Sequence, residues 1–268
     1  MNIYDIENVK LLLKKQLKIS IIPHKSPDGD AIGSTLGLYH FLKNQGHDVQ
    51  VIAPTDFPDF LKWMPAADQI LIYPNGESKA QQRIAASSLI FTLDFNNLLR
   101  AKPLTALLEQ SQADFVMVDH HQQPDTYAKI TYSDDKASST CELIYKVITA
   151  LSSEQAINQE IATCLYTGIM TDTGGFRFSM TSPETHRIVA TLLEKGANCT
   201  EIASEVLDSY SIDRLLLLGH VLNDLTYLPQ YHTAYMYISS KTLKQFNFRK
   251  GDTLSLIHIS EPTRQAEI

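Results

Sequence analysis

The chain has 268 residues, 44% of them hydrophobic and 20% charged, enough for one large α/β domain or two modest ones, each with a core of its own. Its formal charge of −7 argues against long nucleic acid as a partner, and no apolar run reaches membrane-spanning length, the densest being Leu215–Leu218. The N-terminus lacks the basic and apolar regions of a signal peptide, and Cys141, Cys164 and Cys199 lie far apart, which points to reduced thiols in the cytoplasm and against a zinc site.

Apolar positions Ile6, Val9, Leu12, Leu13 and Leu17 predict an opening helix over Ile6–Gln16. Four short runs of strand character follow, at Lys18–Pro23, Val49–Ala53, Leu89–Leu93 and Phe115–Val118. Near-continuous apolar runs separated by helical stretches predict a buried parallel sheet of βαβ units. After the first strand, Ile32, Leu36, Tyr39 and Leu42 share a helix face that Gly46 closes. Gly33, Ser34 and Gly37 would let that helix approach the sheet or a phosphate closely. Ser139-Thr-Cys-Glu142 fits a capping box opening a helix to about Leu151. A helix over Ser153–Met170 delivers Thr171-Asp172-Thr-Gly-Gly175 as a loop, and Ser182-Pro183-Glu184 caps another that ends near Gly196. The texture then changes to a bridging helix at Ser211–Asp224, a strand at His232–Ile238 and a helix at Lys241–Phe246.

The expected organisation is a catalytic domain over 1–190, a helical linker over 191–224 and the start of a second α/β domain over 225–253. The tail Leu254-Ser-Leu-Ile-His-Ile-Ser-Glu-Pro-Thr-Arg264 looks like the in-frame translation of a transposase sequencing adapter, so 254–268 is expected to be foreign to the gene.

Three of the four strands end in residues of chemical interest. The first leads to His24, with Asp28 and Asp30 in the same loop; the third leads to Asp94; the fourth leads to Asp119, His120 and His121. Ligands of open parallel sheets bind at the carboxyl ends of strands, so these residues and Asp172 should meet in one crevice. Buried like charges at this density repel unless a cation holds them. Oxygen ligands mixed with imidazole suit manganese or a similar divalent ion and point to hydrolytic phosphate chemistry. Each residue alone has a plainer alternative: Asp94 and Asp119 as strand-end caps, Asp172-Thr-Gly-Gly as a tight turn, Arg100 and Arg177 as surface ion-pair partners. His40, His47, His186, His220 and His232 have no carboxylates clustered around them in sequence.

The motifs His24-Lys-Ser-Pro-Asp-Gly-Asp-Ala-Ile-Gly-Ser34, Leu93-Asp94, Asp119-His-His121 and Gly168-Ile-Met-Thr-Asp172-Thr-Gly-Gly-Phe-Arg-Phe178 together resemble the DHH phosphoesterase superfamily. The nearer likeness is to its oligoribonuclease (nanoRNase)/pAp phosphatase branch, which carries a DHH domain and a C-terminal DHHA1 domain. The resemblance implies two metal sites, one using His24 and Asp28, the other Asp30, His120 and Asp172, with Asp94 bridging both. It implies that His121 faces the scissile phosphate, that Asp119 orients an imidazole, and that Ser34, Arg100 and Arg177 are candidates for phosphate binding. Manganese is the implied ion; short RNA and 3′-phosphoadenosine 5′-phosphate (pAp) are the implied substrates, and a homodimer the implied assembly. Alternatives within the superfamily are a cyclic-dinucleotide phosphodiesterase and an inorganic pyrophosphatase. From another class stands a nucleotide-binding regulator that has lost turnover, which for this chain would be a truncated metal-binding form with little turnover. The family's glycine-rich DHHA1 motif, G-G-G-H, is absent from this sequence, so the selection of substrate is expected to lie largely outside it.

Overall fold

Six parallel strands build one sheet in the order β3-β2-β1-β4-β5-β6. They are β1 (Lys18–Pro23), β2 (Asp48–Ala53), β3 (Leu71–Ile72), β4 (Leu89–Leu93), β5 (Asp114–Asp119) and β6 (Ile130–Ser133). The computed structural model describes residues 3–208, 211–249 and 252, so the tail expected to be foreign lies outside the described residues. The central strands β1 and β4 are mostly apolar, and every residue of β4 is buried. That is the pattern of a strand covered on both faces. Chain order runs outward from β1 to β2 and β3, then returns to β4 beside β1 and continues to β5 and β6. The reversal opens a crevice between the carboxyl ends of β1 and β4, where doubly wound sheets bind ligands.

Helices cover the sheet: α1 (Ile3–Leu13), α2 (Gly29–Asn44), α3 (Glu77–Ala86), α4 (Thr105–Glu109), α5 (Thr140–Leu151), α6 (Gln159–Asp172), α7 (Pro183–Glu194) and α8 (Cys199–Ala203). The glycines of α2 face α6, and neither the sheet nor a phosphate. A Cβ on Gly33 would lie 2.5 Å from the Cys164 carbonyl oxygen and 3.1 Å from the Gly168 nitrogen. A Cβ on Gly168 would overlap Cys141 Sγ and lie 3.1 Å from Asp30 Oδ1. Bare backbone at these two positions is what lets α2, α5 and α6 converge beside the crevice.

Two local expectations need correction. The helix foreseen over Ser153–Met170 is two pieces: a 3₁₀ turn at Glu154–Ala156, then α6, newly capped by Asn158, whose side chain accepts from the Ile161 N–H. The second piece runs to Asp172, because both the N–H and the hydroxyl of Thr173 bond the Ile169 carbonyl and extend the last turn. Gly174 and Gly175, at φ +58° and +71°, then end it, so Asp172 stands on a rigid helix terminus and not in a loop. The expected capping box at Ser139 is half formed. Ser139 accepts from the Glu142 N–H, but the Glu142 carboxylate turns away to Ser138, Thr185 and Lys146.

The chain divides into two compact units, one of Met1–Phe57 with Leu61–Val206, holding the six-stranded sheet, and another of Pro58–Phe60 with Leu207–Ile268. The second contains α9 (Ile212–Asn223), a two-stranded antiparallel ladder of β7 (Thr226–Leu228) and β8 (Thr233–Tyr235), and α10 (Ser240–Gln245). Leu217 and Val221 of α9 form its small core with Met236, Ile238, Leu243 and Phe246. The strand expected at His232–Ile238 is shorter. A 3₁₀ turn at Pro229–Tyr231 and the left-handed His232 (φ +47°) delay its start, and β7 offers only three partners.

Two consequences are measurable. Gly33→Ala forces a methyl against the α6 backbone and is expected to lower unfolding free energy by about 1–3 kcal/mol, read by urea denaturation. Buried Glu142 is penalised by desolvation, yet bonds from Lys146, Ser138 and Thr185 hold its carboxyl below the ordinary glutamate range. A depressed folded-state pKa stabilises the fold fully above the unfolded value of about 4.3, and this stabilisation disappears as pH falls through the folded one. Glu142→Gln should therefore melt below wild type at pH 7, and the gap should close as the buffer is taken below about pH 4.

Candidate metal centre

His24, Asp94 and Asp119 end β1, β4 and β5, three adjacent strands, so their side chains converge over the switch in strand order. Asp28 caps α2, its Oδ1 accepting from the N–H groups of Asp30 and Ala31, each at 3.1 Å. Asp30 is one residue into that helix and reaches the N-terminus of α5, where it accepts from the Thr140 N–H at 2.6 Å and the Cys141 N–H at 2.8 Å. Helix N-termini carry free N–H groups and partial positive charge, and both here are turned on carboxylates.

Asp94 sits at φ +67°, a left-handed conformation that aspartate tolerates better than most residues, and its N–H bonds the Val118 carbonyl of β5. Its two oxygens face different partners. Oδ2 lies 3.4 Å from His24 Nε2, and Oδ1 lies 3.5 Å from His120 Nε2 while accepting from Thr140 Oγ1 at 2.9 Å. His24 Nε2 is also 3.8 Å from Asp28 Oδ2, and His120 Nε2 is 3.5 Å from Asp172 Oδ2 and 4.0 Å from Asp30 Oδ2. Potential ligand atoms within 4.8 Å of one another therefore fall into three groups: His24, Asp28 and Asp94; Asp30, His120 and Asp172; and Asp94, His120 and His121.

Each imidazole is oriented through its Nδ1. His24 donates to the Lys25 carbonyl at 2.8 Å and His120 to the Ala137 carbonyl at 3.4 Å, which leaves both Nε2 atoms aimed at carboxylates. His121 Nδ1 meets the fully buried Asp119 at 2.7 Å, and its side chain keeps 34% exposure. Asp119 Oδ2 has no hydrogen-bond partner.

Their surroundings shift the proton affinities of these groups. Burial alone would lower His24, but the Asp28 and Asp94 carboxylates override it and carry the imidazole up to about 10. For His120, Asp30, Asp94 and Asp172 outweigh burial in the same way, to about 9. Burial, then the charges of Asp30 and Asp94, push the Asp172 carboxyl up to about 9. Burial and Asp94 raise Asp30 to about 7 against the pull of His120. Burial also works to raise Asp28, yet the His24 imidazole and two backbone N–H groups bring it below its ordinary value. Ligands held about 2.1 Å from an ion stand roughly 3.0–3.5 Å apart, and several of the separations here fall in or near that range. Divalent metal fits this donor set, which offers oxygen and imidazole and no thiolate.

The three phosphate-binding candidates make bonds of their own. Ser34 is fully buried with its hydroxyl on the Ala31 carbonyl. Arg100 is exposed and contributes its carbonyl to the Lys25 N–H, and Arg177 is exposed with Nε on the Gly174 carbonyl. Sequence reasoning passed over Thr140, which touches Asp94, and over a clamp between the loops after β4 and β5. In that clamp Asn96 donates to the Gln122 carbonyl, Asn97 to Asp125, and the Asp125 N–H to the Asn96 carbonyl. The Ser139 cap is the available signal for the first, since it makes Thr140 and Cys141 the first residues of a helix with unpaired N–H groups.

The sequence pattern of the DHH family, N-terminal domain, matches residues 18–169. The bifunctional oligoribonuclease and PAP phosphatase NrnA of Thermus thermophilus is 31% identical over 209 residues, 78% of this chain and 59% of that protein. The Bacillus subtilis protein of the same name is 23% identical over 235 residues, 87% of this chain and 70% of its own length. The crystal structure of an exopolyphosphatase-related protein from Bacteroides fragilis superposes with a TM-score of 0.92 at 39% identity, covering 96% of this chain and 75% of that one. The chain thus spans about three-fifths of the Thermus relative's length. With the family pattern matched over more than half of its residues, and the Asp119-His120-His121 triplet at the crevice, the chain belongs to the DHH family.

Proposed function

We propose that this chain carries the catalytic domain of a metal-dependent phosphohydrolase. Its proposed substrates are short oligoribonucleotides, cleaved to nucleoside monophosphates, and pAp, dephosphorylated to AMP. The observation that supports the chemistry best is the division of the Asp94 carboxylate, one oxygen toward His24 and the other toward His120. A carboxylate so placed suits a bridge between two ions, one held with His24 and Asp28, the other with Asp30, His120 and Asp172. Manganese is the proposed ion, in keeping with the mixed oxygen and imidazole donors. When bound, such a pair supplies an activated water and offsets charge building on the phosphate oxygens.

The protein's own groups have separate tasks. Asp119 holds His121 by Nδ1, which leaves Nε2 free to donate to a non-bridging phosphate oxygen as charge develops. The N-termini of α2 and α5 keep Asp28 and Asp30 oriented whatever occupies the crevice. The substrates come by likeness to the Thermus and Bacillus proteins named for oligoribonuclease and PAP phosphatase activity. A net charge of −7 favours short substrates over long nucleic acid, and free thiols at Cys141 and Cys164 suit the cytoplasm, the proposed location. Among the described residues no helix is long and apolar enough to cross a membrane. A homodimer belongs to the same proposal.

A second reading rests on the 39% identity with the exopolyphosphatase-related structure, and it places a phosphoanhydride in the crevice. Phosphate and nucleotide release from diadenylate, pAp, polyphosphate and pyrophosphate, each with manganese, separates the two. The leading reading expects turnover of the first two, and turnover confined to the phosphoanhydrides would replace it. Asp94→Asn, which tolerates the same left-handed backbone, should lose at least about a hundredfold in turnover. Its circular dichroism should be unchanged, and a near-normal rate would remove Asp94 from the centre.

A further inference from the structure

We infer that Thr140 is a positioning residue that fixes the plane of the Asp94 carboxylate so that one oxygen faces each metal site, an assignment that rests on the metal reading above. Thr140 Oγ1 is 2.9 Å from Asp94 Oδ1, both side chains are buried, and 46 residues separate them in sequence. A carboxylate at the end of a strand can rotate about its last bond, and a quarter-turn would take its oxygens away from both His24 and His120. The threonine hydroxyl is a directional donor anchored to a helix, so it resists that rotation. Its rotamer is narrowed by the branched Cβ, and its own N–H is committed to Asp30 Oδ2.

One residue therefore touches both halves of the centre, through its N–H to Asp30 and its hydroxyl to Asp94. Its position is fixed in turn by the helix behind it. Ser139 caps α5 by accepting from the Glu142 N–H, and the buried Glu142 carboxylate accepts from Ser138, from Lys146 and, across to α7, from Thr185. Neighbours that orient metal-binding side chains are commonly worth 10–100-fold in metal affinity, and Thr140 has the geometry of such a neighbour without being a ligand itself.

The test is calorimetric titration of manganese into the full chain and its variants, with no substrate present. Thr140→Val keeps the shape and removes the hydroxyl; it should bind about 10–100-fold more weakly than wild type. Thr140→Ser restores the hydroxyl and should bind within about threefold of wild type. If the valine variant melts early in metal-free buffer, Thr140→Ala repeats the comparison with no added branching. Equal affinity in wild type and the hydroxyl-free variants overturns the inference, and so does a serine variant as weak as the valine one, since packing would then be the cause. A wild-type chain that takes up no manganese overturns the metal reading, and the positioning role falls with it.

Discussion

Four carboxylates within reach of two imidazoles, with Asp30 and Asp94 buried among them, are the constraint that the surrounding structure answers. Like charges at this separation oppose folding unless something positive is built in or bound. The chain builds in part of the answer. The free N–H groups of α2 hold Asp28 and those of α5 hold Asp30, each helix end carrying roughly half a positive charge. Protonation is favoured at His24 and His120, where it adds positive charge, and at Asp172, where it removes a negative one. Oxygen and imidazole donors gathered this closely also suit a divalent cation, so the same arrangement that permits folding suits the site to metal.

Bringing two helix N-termini and one helix C-terminus to a single point creates a steric problem, and glycine solves it. At Gly33 the α2 backbone approaches the Cys164 carbonyl of α6, and at Gly168 the α6 backbone leaves room for Cys141 and Asp30. The sheet solves the rest. Adjacent parallel strands are about 4.8 Å apart, so the ends of β1, β4 and β5 span roughly 10 Å, a width that one or two ions and a phosphate can occupy. The reversal of strand order beside β1 keeps that width free of crossing connections.

Strands and strand ends were the legible part of the sequence because burial on both faces leaves an unmistakable apolar run. Lys18–Pro23 and Leu89–Leu93 match β1 and β4 at both ends for this reason. The edge strands escaped notice: β3 has two residues, and β6, Ile130-Thr-Tyr-Ser133, alternates over too short a span to separate from loop. Asp172 was visible as a residue but not as a helix terminus, since the threonine bonds that extend α6 are made in three dimensions. Thr140 was hidden in a different way. Its sequence neighbours announce a helix cap, and only the folded sheet brings Asp94 to its hydroxyl across 46 residues. Arg100 shows the converse, a residue singled out by motif whose visible bond is made by its backbone.

Adjacent histidines in one motif acquire different surroundings because their Nδ1 atoms find different acceptors. His120 gives its Nδ1–H to the Ala137 carbonyl, and its Nε2 enters a nest of three carboxylates. His121 turns its Nδ1 to the Asp119 carboxylate, and the two rings stand 67° apart. One ring is thereby directed into the charge cluster and the other left partly open to solvent, although a single peptide bond joins them. The order Asp-His-His at a strand end is therefore a geometric statement. The strand fixes the aspartate inside, the next residue is carried toward the carboxylates converging from α2, β4 and α6, and the one after folds back on the aspartate.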